Sequence, residues 1–228
     1  METYVVRVWL PDRPGALGAV ASRIGAVRGD VVGIDILETG DGVAVDELVV
    51  RLPQGSLVDL LVNEIQEVDG VTVEDVKAAD ATSRDPRLDA LETAAMICGA
   101  DTMDELLRAL VVHGSRTLGA EWSAVVDLAS GRVRATAGPT PTEAWLSAFV
   151  TGARAAGGDD HQAIGGADVA WAPLPGVELA LVAGRAGTPF RAKERRQVAA
   201  LARVAGTRAR EVGRARSMRA HPSVSSTP

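Results

Sequence analysis

Residues 4–10, Tyr-Val-Val-Arg-Val-Trp-Leu, read as a strand, and two prolines then forbid that strand to continue. The stretch is β-branched and aromatic, and Val6, Val8 and Leu10 fall on one face. Pro11 and Pro14 remove backbone donors, and Gly15 frees the chain to turn. The apolar period then changes: Leu17, Val20, Ala21, Ile24 and Val27 recur at helical spacing until Gly29. A strand, a sharp turn and an amphipathic helix are thus fixed within the first 29 residues.

The next fifty residues continue in the same manner. Residues 31–37 form a second strand, and Gly40-Asp41-Gly42 signals a hairpin into a third, residues 43–52, closed by Pro53. Ser56 with Asp59 resembles a capping box, and Leu57, Leu60, Leu61, Val62 and Ile65 give a helical face. Asp69-Gly70 turns into a fourth strand, residues 71–76. The order β-α-β-β-α-β in about 75 residues is the ferredoxin-like pattern, a four-stranded antiparallel sheet with both helices on one face. Its bare face or edge is a natural place for a partner.

That order hosts many activities, so function must come from the residues of a site. The turn Asp12-Arg13-Pro14-Gly15-Ala16-Leu17, followed by Val32-Gly33-Ile34-Asp35-Ile36, resembles the ACT domain family over residues 4–77. The resemblance implies an amino acid or similar small metabolite bound between two copies whose sheets lie side by side. The implied site is Leu10, Pro11, Asp12, Arg13, Pro14, Gly15, Ala16 and Leu17 of one copy, facing Gly33, Ile34 and Asp35 of the other. The chemistry suits such a ligand. Amides at a helix start attract a carboxylate, Gly15 allows close approach, and Asp35 or Asp12 offers a carboxylate to an ammonium group. Asp35 stands where the family commonly has Asn, which favours a cationic group or marks a site that has lost amino-acid binding. Pro-Gly also turns a chain with no ligand present, with Asp12 as a helix cap and Arg13 solvated. A dimerisation scaffold is therefore the competing reading.

Residues 79–85 are small and polar and read as a linker. Asp85-Pro86 then opens a helix with the stripe Leu88, Leu91, Ala95 and Cys98 directed inward. Thr102 with Glu105 is a capping box for a second helix that carries Met103, Leu106, Leu107, Leu110 and Val111. Residues 122–128 and 132–137 are strands. Thr140-Pro141-Thr142-Glu143 reads as cap, first-turn proline and box glutamate of a helix that carries Trp145, Leu146, Phe149 and Val150. A second strand pair, residues 169–174 and 177–183, turns at Pro175-Gly176. A long helix to about Arg216 buries Val198, Leu201, Ala202, Ala205, Ala209 and Val212, and the tail from residue 217 reads as disordered. With the Phe190-Arg191-Ala192-Lys193-Glu194 opening of that helix, residues 86–216 resemble the GAF domain family. Four strands are fewer than that family usually has, and the short loops imply dimerisation or a vestigial pocket rather than a cofactor site. The fold class expected is α+β, with domains at 1–78 and 86–216.

Composition excludes several functions. The formal net charge is −6 over 228 residues, but residues 185–228 hold 11 bases against 2 acids, a balance of +9. The acidic remainder repels nucleic acid, and residues 191–216 are the only candidate contact. Their arginines are spread round the helix and read as solvated surface. Trp122, Trp145 and Trp171 read as core. Cys98, the single cysteine, reads as a small buried side chain, and a reducing cytoplasm fits a chain without an internal disulfide. The first residues lack the basic and apolar regions of a signal peptide, and no apolar run is long enough to span a membrane. His113, His161 and His221 have no metal-ligand spacing with one another or with Cys98. The pairs Gly157-Gly158 and Gly165-Gly166 lack phosphate-loop context. No metal, cofactor or catalytic set is expected. The expectation is a non-catalytic, homodimeric regulatory protein that senses an amino-acid-like metabolite. Its alternatives are a ligand-free scaffold or the regulatory subunit of a metabolic enzyme.

Overall fold

The first strand, β1 (Glu2–Pro11), runs through the middle of its sheet, with a strand paired on either side. Our computed structural model describes residues 1–54, 58–79, 86–156 and 168–220, with side chains described as far as residue 215. After β1 come α1 (Ala16–Ala26), β2 (Asp30–Gly40), β3 (Val43–Leu52), α2 (Val58–Gln66) and β4 (Thr72–Ala79), the order expected from the sequence. The strands lie in the order β2-β3-β1-β4, all neighbours antiparallel, so β2 and β4 are the edges.

Burial follows the alternation. Val6, Val8 and Leu10 of β1 meet Ala44, Leu48, Val50 and Leu52 of β3 beneath Val20 and Ile24 of α1 and Leu61 and Ile65 of α2. These side chains are closed from water, and each contributes about 1.5–3 kcal/mol relative to exposure. Leu60, expected on the inner face of α2, is instead exposed. Adjacent residues in a helix are about 100° apart, so Leu60 and Leu61 are too far round to share a narrow seam. The β2–β3 hairpin closes through Asp41 and Gly42, both at positive φ, as a tight two-residue turn requires. Ser56 lies outside the described residues, as do His161, His221 and both glycine pairs of the sequence reading.

The chain divides into two compact units: Met1–Arg84 with Arg191–Lys193, and Asp85–Phe190 with Glu194–Pro228. The second contains α3 (Pro86–Gly99), α4 (Met103–Thr117), β5 (Trp122–Asp127), β6 (Val133–Ala137), α5 (Glu143–Ala155), β7 (Val169–Pro173), β8 (Leu179–Gly184) and most of α6 (Ala192–Ala220). Its antiparallel sheet has the order β6-β5-β8-β7. Val125, Leu181 and Ala183 pack with α4 and α6, whereas Ala124, Val126 and Val182 pack with Leu146 and Val150 of α5. The sheet is therefore covered on both faces, and both four-stranded sheets make the protein α+β.

Several local expectations change in this unit. The stripe Leu88, Leu91, Ala95 and Cys98 faces outward, and α3 buries Thr93 and Ile97 instead. Thr93 can go inside because its hydroxyl lies 2.7 Å from that of Thr117 and bonds to His113 O. The α5 cap is Thr142, not Thr140: its hydroxyl accepts from the Trp145 N–H at 3.3 Å, while Glu143 accepts from the Val133 N–H. Trp145 is exposed, yet it stacks on Phe149 and meets Trp122 edge-on. The Thr102–Glu105 capping box is present as expected. The last helix continues to Ala220, beyond the end near Arg216 expected from the sequence.

Candidate functional site

The turn that ends β1 is held by backbone alone. Pro11 pairs with Val43, and the Asp12 N–H donates to Gly42 O at 2.9 Å. The Arg13 N–H donates to Pro11 O at 2.8 Å and the Ala16 N–H to Arg13 O at 3.3 Å. Gly15 is the N-cap of α1 at φ 89° and ψ −14°, a left-handed conformation that residues with a Cβ resist. No side chain caps this helix, so Asp12 is not the cap.

The consequence is an open helix start. The amides of Leu17 and Gly18 make no hydrogen bond to another described residue. Such amides, with the helix dipole behind them, suit a carboxylate or other anion. Nothing lies within 4 Å of where a Gly15 Cβ would stand, which leaves room in front of the turn. Asp12, Arg13, Pro14 and Gly15 are exposed, Pro11 and Leu17 are half-buried, and Leu10 and Ala16 are buried in the core. The first and seventh residues of the motif thus anchor the turn while the middle four present it.

Gly33, Ile34 and Asp35 lie on the edge strand β2, opposite Val49, Leu48 and Glu47. A Cβ at Gly33 would come within 3.2 Å of Val49 Cγ2, so this glycine allows a close strand approach. Val32, Ile34 and Ile36 are 43%, 51% and 54% exposed, an apolar row on an edge strand. Asp35 is half-buried and ion-paired with Lys193, which groups with the same compact unit.

One residue of this region escaped the sequence reading. Asp46 of β3 lies opposite Val8 and Ile36 and is 3% exposed. Its Oδ1 is closed from water and has no hydrogen-bond partner among the described residues. Burial, then the nearby carboxylates of Asp12 and Asp35, push its carboxyl above the usual carboxylate range. Asp12 from the turn and Asp35 from the edge strand therefore both lie within electrostatic reach of one buried acid. The signal was in the sequence: Asp46 occupies an inward position in the alternation Ala44, Leu48, Val50 and Leu52.

Among the described residues no group of three His, Cys, Asp or Glu side chains is arranged to hold a metal ion, and no helix is long and apolar enough to cross a membrane. His113 lies half-buried on α4.

Residues 4–70 match the family model described as the ACT domain, and the N-terminal unit is an ACT domain. ACT domains are commonly regulatory modules that bind small molecules. The chain is also similar to several solved structures. An ACT domain protein from Streptococcus pneumoniae is 16% identical, with a TM-score of 0.30, over 37% of this chain and 97% of that one. The ACT domain from GTP pyrophosphokinase of Chlorobium tepidum is 16% identical, with a TM-score of 0.28, over 35% of this chain and 100% of that one. An unknown protein from Galdieria sulphuraria is 14% identical, with a TM-score of 0.34, over 94% of this chain and 92% of that one. No curated protein matches the chain.

Proposed function

We propose that this is a non-catalytic regulatory protein of the cytoplasm, which senses an amino acid or a related small metabolite at an interface between two ACT domains. The observation that carries the reading is the open start of α1: a left-handed Gly15, free space before it, and the uncapped amides of Leu17 and Gly18. The ligand carboxylate would lie on those amides, and its ammonium group near Asp12 or near Asp35 of the second copy. The second unit, GAF-like in element order, would serve dimerisation. Binding would act by favouring one arrangement of the paired domains over another.

The test is calorimetry of the full chain against the common amino acids at millimolar concentration, with thermal shift in parallel. At least one is expected to bind and to raise the melting temperature. Silence from the whole panel defeats the reading. Gly15→Val should abolish the signal, because a β-branched residue resists the left-handed conformation, and should leave the melting of the second unit unchanged.

A second reading, a scaffold that binds no metabolite, is favoured by the apolar row on β2. It predicts a dimer whose stability no metabolite alters.

A further inference from the structure

Several arginines of the second unit are held by neighbours. Arg134 pairs with Asp127, Arg154 with Glu178 and Arg185 with Glu194, and Arg208 pairs with Glu211 while donating to Ala100 O. Four on α6 differ. Arg196, Arg203 and Arg210 follow one another at seven-residue intervals, and Arg214 comes four residues later. At 100° per residue this spacing confines them to an arc of about 40°, in a line about 27 Å long. The reading of the α6 arginines as spread round the helix is therefore corrected for these four. All four are exposed, and none pairs with an acid among the described residues. Arg210 bonds only to the Thr207 hydroxyl there. Arg210 and Arg214, one turn apart, repel each other and destabilise the helix that carries them. A merely solvated face needs no such alignment, and the chain has 30 acids that could have balanced it.

The arginine line is one rim of an open groove of about 360 Å³, lined by Cys98 of α3 and by Arg203, Val204, Thr207, Arg208 and Glu211 of α6. All of these residues belong to the second unit. Cys98 is exposed, and Leu91, two turns earlier on the same face of α3, is 69% exposed. An apolar strip thus leads to the groove from one side, and a cationic rim bounds it on the other. That combination limits the partner. Neither α3 nor α6 contains Phe, Tyr or Trp, so the bases of a single strand have no ring to stack on. The residues before 185 carry 28 acids against 13 bases, a balance of −15 that repels a nucleic-acid backbone. Among the described residues of α6 no large apolar side chain is exposed, so this helix has nothing to insert into a lipid surface.

We propose that the α3–α6 groove docks an acidic amphipathic helix of another protein, with its carboxylates on Arg196, Arg203, Arg210 and Arg214 and its apolar side over Val204 and Cys98. A guanidinium takes a carboxylate through two parallel hydrogen bonds. A helix presents carboxylates in one line when they recur every seven residues, the interval from Arg196 to Arg203 and from Arg203 to Arg210. The inference does not depend on the ligand turn of the first unit.

The probes are fluorescein-labelled helical peptides of about 18 residues, the length of the arginine line. Each carries leucine on one face, and its glutamates are stepped round the flank from one peptide to the next. Fluorescence anisotropy with the full chain, at low and at high salt, measures binding. At least one peptide is expected to bind, and more weakly as salt is raised. Its glutamine counterpart should bind about tenfold or more weakly, and so should the original peptide to the double variant Arg203→Glu with Arg210→Glu. Both side chains are exposed, so the melting temperature of that variant should stay at the wild-type value. Should it fall, Arg196→Gln with Arg214→Gln is the second variant, expected to weaken binding by about threefold or more. Cys98 is the single cysteine, and the bound peptide should slow its reaction with a thiol reagent. No binding by any peptide overturns the proposal, as does binding that these charge changes leave intact. Unchanged Cys98 reactivity beneath a bound peptide removes the partner from the groove. Tighter binding of an oligothymidine of similar length gives the arginine line to nucleic acid, and protection of Cys98 with no peptide present gives the groove to a second copy. Either result overturns the acidic helix.

Discussion

Asp46 makes a prediction about the empty protein. In the unfolded chain its carboxyl ionises at the ordinary value, whereas in the fold burial first, and then Asp12 and Asp35, keep the proton on to higher pH. Between those two values the native state holds a proton that the unfolded chain has lost. Stability therefore falls as pH rises through that window, and the cost is complete above the native pKa. Asp46→Asn removes the charge and keeps the shape. It should stabilise the ligand-free protein at pH 7, because a neutral amide loses less hydration on burial than a carboxylate does. The gain should shrink as pH is lowered through the window between the two values, and vanish where wild-type Asp46 is also neutral. Thermal melts of both proteins across that range measure it. A wild type that is the more stable at pH 7 would mean that Asp46 has a partner holding its charge.

At the scale of elements, the second unit depends on a junction that composition conceals. Arg185, at the end of β8, belongs to the basic segment read as solvated surface, yet it is 6% exposed. Its guanidinium is 2.6 Å from Glu194 Oε1 and lies over the Phe190 ring at 4.1 Å. It also donates to the carbonyls of Leu118, Thr188 and Pro189, so one side chain ties the end of α4, the end of β8 and the start of α6. Glu194→Ala leaves that charge buried without its carboxylate and should cost about 3–5 kcal/mol. Denaturant unfolding would show it as a lower midpoint. The double change Arg185→Met with Glu194→Leu should recover only part of the loss, since it removes the buried charges but takes the donor from the carbonyls of Leu118, Thr188 and Pro189. What was legible at this scale followed from period and punctuation. The βαββαβ order, the Asp41-Gly42 hairpin and the Thr102–Glu105 box are local signals, and each appears where it was read. What was illegible depended on contacts remote in sequence. The apolar stripe of α3 proved to be its outer face, because the Thr93–Thr117 hydroxyl contact comes from a helix 24 residues away. The site divided along the same line. The turn was visible as a motif, whereas the burial of Asp46 follows only when β3 is laid between β1 and β2.

At the scale of the whole molecule, two exposed apolar rows compete to form the proposed dimer. One is Val32, Ile34 and Ile36 on the edge strand β2, and the other is Leu88 and Leu91 with Cys98 on α3. An edge strand also carries unpaired backbone groups, which an identical strand from a second copy satisfies with the same residues on both sides. Antiparallel pairing centred on Ile34 would set Ile34 against Ile34 and Val32 against Ile36, burying the row on both copies. It would also bring β2 of one chain toward the turn of the other, as a shared ligand site requires. The α3 row buries side chains alone and supplies no backbone partner. The ACT edge is therefore expected to dominate. Ile34→Lys puts two like charges face to face on the two-fold axis and should convert the dimer to a monomer at micromolar concentration, read by light scattering. Leu91→Lys should leave the dimer intact, and Cys98 of the wild type should react with a thiol reagent without denaturant, since α3 stays open. Loss of the dimer on Leu91→Lys, together with protection of Cys98, would move the interface to the second unit. The ligand would then lie within a single ACT domain, and ligand affinity would no longer depend on protein concentration.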